Sequence, residues 1–361
     1  MRIYNVGILG ATGMVGQRFI HLLQGHPWFQ IKVLAASPRS AGKVYGELVQ
    51  TRWAMPDPLP ADVAAMVVMD AVADAEEIAA QVDFVFCAVD MPKAEVHAFE
   101  ERYAQLECPV ISNNSAHRTT NDVPMIIPEI NPEHSQAIET QRRRLGTKRG
   151  FVAVKSNCSL QSYLPALHPL MGFGLRNVLV CTYQAISGAG KTFATWPEMQ
   201  DNVIPYIGGE EEKSEQEPMK IWGSMQNGVI VPAASPNITA QCIRVPVSDG
   251  HMGAVFARFE KRPDLEQIKS LWAGFSGEPQ KLGLPSAPKR FLHYFEQENR
   301  PQTGLDRDLE NGMAVSVGRL RYDSQNQYDI KFVCLSHNTI RGAAGGGILM
   351  AELFCAQGYI D

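Results

Sequence analysis

The chain contains no apolar run near the ~20 residues needed to cross a bilayer, which argues against a helical membrane protein. It has no Cys-x-x-Cys pair and no Cys/His cluster at zinc spacing. The seven cysteines are an odd number, which fits a reducing cytoplasm rather than a disulfide framework and implies no metal site. Strong charge of either sign is missing as well. A formal net charge of −5 argues against a nucleic-acid or membrane-surface partner and selects no substrate. There is no internal repeat and no low-complexity segment, and a strand begins so soon after Met1 that no signal peptide is expected. What remains is a globular composition, 45% hydrophobic and 20% charged. At 361 residues the chain is too long for one ordinary core, so two domains are expected.

The first half alternates strand and helix. Ile3–Leu9 reads as a strand, Gly10-Ala11-Thr12-Gly13-Met14-Val15-Gly16 as a glycine turn, and the residues through Leu22–Leu23 as a helix. This is the setting of a dinucleotide fingerprint: glycines permit a tight turn, and backbone N–H groups at the helix start approach a pyrophosphate. The spacing is G-x-x-G-x-x-G, so a purely structural glycine turn stays open. A second strand, Ile31–Ala36, runs into Ser37-Pro38-Arg39-Ser40-Ala41-Gly42-Lys43. NAD sites usually carry an acidic residue here; Ser37, Arg39 and Lys43 suit the 2′-phosphate of NADP, or form a solvated basic loop. Asp83–Val89, Lys93–Leu106 and Pro109–Ser112 continue the pattern as strand, helix and strand, which predicts a parallel, doubly wound sheet. Asn113–Arg118 follows at a strand's carboxyl end, where such sheets bind ligands. The basic run Arg142–Arg144, with Lys148 and Arg149, reads as a solvated helix end near the close of the first domain.

Phe151–Val154 reads as a strand and Ser159 onward as a helix with Leu160, Leu164 and Leu167 on one side, so Cys158 stands where strand passes to helix. A thiol at that position is favoured as an anion; a pKa drop from about 8.5 to about 6 raises its thiolate fraction roughly 30-fold at neutral pH. A small buried apolar residue is the other reading, and Pro165 would kink the helix unless it lay in the first turn.

Beyond Cys158 longer strands are expected at Asn177–Gln184, Ile238–Val247, His251–Phe259, Met313–Arg321 and Tyr328–Ser336. Helices are expected near Thr195–Val203 and Leu265–Phe275. That pattern predicts an α+β second domain with an antiparallel-rich sheet. Ser187-Gly188-Ala189-Gly190-Lys191-Thr192 ends like a phosphate-binding loop, but Ala185 stands where its opening glycine belongs. Glu210–Glu217 reads as a solvated acidic helix face. Asp249-Gly250 signals a two-residue hairpin pairing Ser248 with His251, which would place Arg244 about 13 Å along the strand from Ser248. Acid/base group and carboxylate anchor would then stand at opposite ends of a small substrate, unless they are only a turn histidine and a surface arginine.

Several stretches together resemble the aspartate-β-semialdehyde dehydrogenase family, in its archaeal and fungal form: GATGMVG (10–16), ASPRSAGK (36–43), IPEINP (127–132), SNCS (156–159), QAISGAG (184–190), DNVIPYIGGEEEK (201–213), EPMK (217–220), IRVPVSDGH (243–251) and the glycine-rich start of the last helix. The resemblance implies an NADP-binding domain over 1–157, a catalytic and dimer-forming domain over 158–340, and a helix over 341–361 returning to the first. It implies NADPH-dependent reductive dephosphorylation of β-aspartyl phosphate to aspartate semialdehyde, with malonyl-CoA reduction as the alternative. Cys158 would be the nucleophile, His251 the acid/base and Gln184 the residue orienting the acyl group. Arg244 would hold the substrate carboxylate, Glu217 its amino group, and Arg118 and Lys220 the phosphate, with Asn157 beside them. NADP would meet Gly10, Thr12, Gly13, Met14, Val15, Ser37, Arg39, Ser40, Ser187, Gly188, Gly190 and Asn338. The partners implied are substrate, phosphate and a second copy, as homodimer or homotetramer, with no nucleic acid and no membrane. Lys155-Ser156-Asn157 departs from the proline-containing family pattern before the cysteine, and Lys191-Thr192-Phe193 and Trp196 depart as well.

Overall fold

The computed structural model describes residues 2–361. Strands β1 (Tyr4–Leu9), β2 (Phe29–Ala36), β3 (Met69–Asp70), β4 (Phe84–Cys87), β5 (Val110–Ser112) and β6 (Val152–Val154) form one sheet in the order β3-β2-β1-β4-β5-β6. All its pairings are parallel. Alternation along β4 shows how both faces are covered. Phe84 and Phe86 point into a core with Phe19 and Phe354, while Val85 and Cys87 point into the opposite core with Phe99 and Tyr103. A strand buried on both sides needs an unbroken apolar run, and Phe84-Val85-Phe86-Cys87 is one. Helices Met14–Leu22 and Gly345–Ala356 lie on the Phe86 side; Ala75–Gln81 and Lys93–Gln105 lie on the other. Strand order reverses between β1 and β4, which opens a crevice at their carboxyl ends.

The second sheet contains β7 (Leu175–Gln184), β10 (Asn237–Arg244), β11 (His251–Phe259), β12 (Leu292–Phe295), β13 (Val315–Tyr322) and β14 (Ile330–Ser336), in the order β10-β7-β11-β14-β13-β12. A small separate hairpin is made by β8 (Ser224–Gln226) and β9 (Val229–Val231). The sheet is mixed: β7–β11, β11–β14 and β13–β14 are antiparallel, whereas β10–β7 and β12–β13 are parallel. Helix Leu160–Leu167 covers its inner face, Leu160, Leu164 and Leu167 packing with Val180, Val255 and Phe332.

Two sequence expectations fail here, and a third, conditional one is settled. The span Thr195–Val203 holds only a short 3-10 turn, Pro197–Met199, because Pro197 keeps the preceding Trp196 out of helical geometry and the chain turns away extended at Gln200. The Asp249-Gly250 hairpin does not exist: β7 lies between β10 and β11, so Ser248 and His251 are not paired. Pro165 sits inside helix Leu160–Leu167, past its first turn, and the chain tightens into 3-10 geometry from His168. The last helix is buried almost throughout. A Cβ on Gly347 would meet the Phe19 ring at 3.1 Å, so glycine lets this helix press onto the first sheet's helical layer.

Candidate active site

A cleft of about 370 Å³ lies between the sheets, lined by Asn113, Arg118, Asn157, Cys158, Gln184, Ser187, Gly188, Glu210, Arg244 and Asn338 among others. Each sheet contributes the carboxyl ends of its strands. From the first come Asn113 after β5 and Asn157-Cys158 after β6. From the second come Gln184 and Arg244, the register-paired last residues of the parallel strands β7 and β10.

His251 opens β11. Met252 pairs with Tyr183, so the next step of that register sets His251 beside Gln184 and on the same face. Arg244 and His251 therefore meet across β7 instead of being spread along a hairpin. A Cβ placed on Gly188 would lie 2.9 Å from Arg244 Nη1 and 3.0 Å from His251 Nε2, so both side chains close on one point of the cleft wall. The short turn Ile186–Ala189 carries Gly188 there, and no phosphate-loop helix follows it. The backbone N–H of Ala185 donates to His251 Nδ1 at 3.1 Å, which leaves the ring proton on Nε2; Nε2 has no partner. Burial, then the Arg244 charge, pushes the imidazole pKa down to about 3, so His251 is neutral. Arg244 is buried and donates to the Ala185 carbonyl at 2.6 Å.

Cys158 is partly exposed, two residues before its helix starts. Burial and the neighbouring Glu210 carboxylate push its thiol up to about 11, against the opposing pull of Arg118, Lys155 and Arg244. The acidified thiol expected from the strand-to-helix position is therefore corrected: desolvation outweighs the helix terminus.

The acidic helix also departs from its sequence reading. In Glu210–Ile221 the residues Glu210, Ser214, Glu217 and Ile221 are buried at helical spacing. Glu210 accepts from Asn157 Nδ2 at both oxygens (2.9 and 3.0 Å), from Gln184 Nε2 (3.2 Å) and from Lys213 Nζ (2.9 Å). Burial raises its pKa, but Lys213 and these donors more than offset that and hold it below the usual carboxylate value. Sequence reasoning missed Glu210; the helical period shared with Glu217 was the available signal. Glu217 Oε1 pairs with Arg118 at 2.8 Å, and its Oε2 accepts the Asn157 N–H at 2.7 Å. Lys220 donates to the carbonyls of Arg118, Thr120 and Val123, so its ammonium anchors the Arg118 loop and does not line the cleft. Burial brings its pKa down to about 7.

The residues expected to hold a dinucleotide stand along the crevice. Gly10 has φ +87, and a Cβ there would lie 2.4 Å from the Ala88 carbonyl, so only glycine fits. Gly13 caps the helix that Met14 and Val15 begin, with Thr12 in the turn before it. Ser37 and Arg39 are exposed after β2, and Ser40 closes that turn by donating its N–H to the Ser37 carbonyl. Asn338 joins the two sides, donating to Ser187 Oγ at 2.9 Å and accepting the Gly250 N–H at 2.8 Å. Gly190 ends the 187–190 loop with φ +67. Asn113 Nδ2 is buried without a partner, the kind of orphaned donor that a bound group satisfies.

The fold places His97, Glu101 and His117 with donor atoms within 4.8 Å of one another. Arg144 Nη1 already holds Glu101 at 2.6 Å, and none of the three lines the cleft.

Residues 5–138 match the semialdehyde dehydrogenase NAD-binding domain family, and residues 167–341 the semialdehyde dehydrogenase dimerisation domain family. The aspartate-semialdehyde dehydrogenase of Methanothermobacter thermautotrophicus is 44% identical over 352 residues, covering 97% of this chain and 98% of that one. The Schizosaccharomyces pombe enzyme of the same name is 43% identical over the full length of both chains. The chain belongs to the aspartate-semialdehyde dehydrogenase family. Its relatives thus include archaeal and fungal members, as the sequence resemblance implied. Among solved structures, Candida albicans aspartate semialdehyde dehydrogenase with NADP superposes with a TM-score of 0.87 at 39% identity, covering 99% of this chain and all of that one. Aspartate semialdehyde dehydrogenase II from Vibrio cholerae, complexed with ASA, gives 0.73 at 26% identity, covering 99% of each chain. The doubly wound sheet is thus a Rossmann-like nucleotide domain, and the mixed sheet belongs to the dimerisation family.

Proposed function

We propose that this chain is an NADP-dependent aspartate-semialdehyde dehydrogenase, reducing β-aspartyl phosphate to aspartate semialdehyde in aspartate-family amino-acid biosynthesis. The observation that carries the reading is the meeting of Cys158, Gln184, Arg244 and Glu210 in one cleft, with His251 on its wall, at the carboxyl ends of a nucleotide-binding sheet. Malonyl-CoA reduction gains no support from the relatives above, which carry the aspartate-semialdehyde name.

NADPH, when bound along Gly10–Val15 with its 2′-phosphate at Ser37 and Arg39, supplies the hydride. The protein's own residues do the rest. Cys158 attacks the acyl carbon as a thiolate; phosphate departs and a thioester remains. Gln184 holds the acyl group, and His251 donates from Nε2 toward the tetrahedral oxygen. Arg244 grips the substrate carboxylate. Glu217 takes the ammonium, sharing its carboxylate with Arg118, which faces the phosphate. Lys220 fixes the loop that carries Arg118.

On the same reading residues 1–157 bind NADP, 158–340 form the catalytic and dimerisation domain, and 341–361 return as a helix to the first. Leu179, Tyr183, Met252 and Phe256, at least partly exposed on the outer face of the second sheet, suit a homodimer interface. The reaction belongs in the cytoplasm; among the described residues no helix is long and apolar enough to cross a membrane.

The test is semialdehyde oxidation in the reverse direction. NADPH should form from aspartate semialdehyde and NADP only with phosphate present. Formation with CoA in place of phosphate would move the assignment to a CoA-dependent reductase.

A further inference from the structure

Metal-ligand spacing is missing from the linear sequence, but the fold assembles a ligand set away from the cleft. His97 and Glu101 stand four residues apart on helix Lys93–Gln105, so both side chains leave the same face. His117, 20 residues beyond His97 in sequence, comes up against them from the turn after β5. One ring nitrogen of each histidine and one Glu101 oxygen lie within 4.8 Å of one another.

His117 is the fixed member of the set. It is fully buried, and its Nε2 donates to the His97 carbonyl at 3.2 Å, with Glu100 Oε2 3.9 Å away. That bond keeps the ring proton on Nε2 and leaves the Nδ1 lone pair buried without a partner. A buried acceptor left unpaired is costly, and a cation relieves the cost. An imidazole that gives one N–H to a backbone carbonyl and keeps its other nitrogen bare is arranged as metal-bound histidines are. Burial, and then His97, brings its pKa down to about 4, so at neutral pH no proton has to leave.

The other two ligands are adaptable. Glu101 Oε1 accepts from Arg144 at 2.6 Å, but Arg144 is also held by Asp122, at 2.6 and 3.2 Å. Glu101 Oε2 takes no hydrogen bond among the described residues and lies 4.0 Å from His97 Nδ1. Arg144 thus orients the carboxylate while leaving one oxygen open. The half-exposed His97 ring stacks on His117 with centroids 3.8 Å apart. Turning it out of that stack brings its nitrogen toward the other two ligands. Metal bonds of about 2.0–2.2 Å set donors about 3.5 Å apart, so a closure of about 1 Å completes the set. Two imidazoles and a carboxylate select a borderline cation such as Zn²⁺, whereas Mg²⁺ and Ca²⁺ prefer oxygen ligands throughout.

We propose that His97, Glu101 and His117 form a Zn²⁺ site, with water as the fourth ligand, that clips helix Lys93–Gln105 to the turn carrying Arg118. The ion restrains the backbone next to Arg118 and takes no part in the reaction. The site stands independently of the activity proposed above.

The test uses the full chain, stripped of metal by a chelator, and adds Zn²⁺ or Co²⁺ to wild type, His97→Ala and Glu101→Gln. The seven cysteines also offer ligands to these ions, so variants and spectrum are read together. Calorimetry should give one Zn²⁺ per chain in wild type, with affinity at least about tenfold weaker in each variant. The first equivalent of Co²⁺ should give the ligand-field bands of a four-coordinate nitrogen and oxygen site, without a thiolate charge-transfer band. Zn²⁺ should raise the melting temperature of wild type by a few degrees and leave that of His97→Ala unmoved. Equal affinity in wild type and His97→Ala, a thiolate band at the first equivalent, or no saturable binding overturns the proposal. If His97→Ala does not fold, the wild-type cobalt spectrum and the Glu101→Gln titration decide by the same criteria.

Discussion

At the scale of single residues, the site is a set of charges already paired with one another before any substrate arrives. Glu217 is the clearest case, bonded to Arg118 and to the Asn157 N–H. Reading a substrate ammonium adds a third donor to the same carboxylate. Glu217→Gln should therefore lower kcat/KM for aspartate semialdehyde by about tenfold or more, and for succinate semialdehyde, which has no amine, by much less. Equal losses for both substrates would mean that Glu217 serves only to hold Arg118. Arg39 offers a simpler test because it is exposed and its own contacts are few. Arg39→Ala should raise the NADPH Michaelis constant by about tenfold or more, one charge-assisted contact being worth about 1.5–3 kcal/mol, and leave NADH almost unchanged. Parallel steady-state titrations of the two cofactors separate a 2′-phosphate contact from a general one.

At the scale of elements, the decisive feature is a strand insertion. β7 lies between β10 and β11, so the ends of three neighbouring strands deliver Arg244, Gln184 and His251 to one place, and the turn after β7 lays Gly188 against two of them. Gly188 has no positive φ, so its backbone tolerates alanine, but the added methyl needs space that Arg244 and His251 occupy. Gly188→Ala should keep its melting temperature within a few degrees and lose about a hundredfold in kcat/KM, since misplacing reacting groups by about 1 Å costs that much. Near wild-type turnover would show that the loop moves away from both side chains when substrate binds. The helix Glu210–Ile221 makes the same point about sequence. Its face Glu210, Ser214, Glu217, Ile221 has the period of a buried stripe, but the glutamates disguise it because carboxylates are counted as solvent-facing.

For the whole molecule, burial sets the protonation state of several histidines at once. His117 and His337 are held at about 4 and His251 at about 3, in each case chiefly by burial. All lie below the usual value of about 6.5, so the stability they contribute is fully present above that pH and is lost as the pH falls toward 4. Over that window the unfolded chain binds protons that the folded chain refuses. With all three histidines protonated only in the unfolded state, the slope approaches about 4 kcal/mol per pH unit. Melting temperatures at pH 7.5, 6.0 and 5.0 should fall with increasing steepness. A flat profile down to pH 5 would show that these histidines are solvated in the native protein.

What the sequence determined by itself was local. The glycine turn after β1 with its helix, the alternation that builds a parallel sheet, Ser37 and Arg39 where an acidic residue usually stands, and Cys158 between strand and helix all rest on neighbours in the chain. The second half also showed its main strands, because period-two patterns do not depend on partners. Partners were what it did not show. The Asp249-Gly250 turn signal implies a hairpin in isolation, and only the sheet reveals that β7 fills the gap between the two strands. Likewise, a cysteine ahead of a helix is expected to be acidic, and only the packed cleft, with Glu210 beside it and little water around it, turns that sign over. Turns and periods come from interactions a few residues long, whereas strand neighbours and desolvation depend on segments far apart in the chain, and those distances close only in the folded protein.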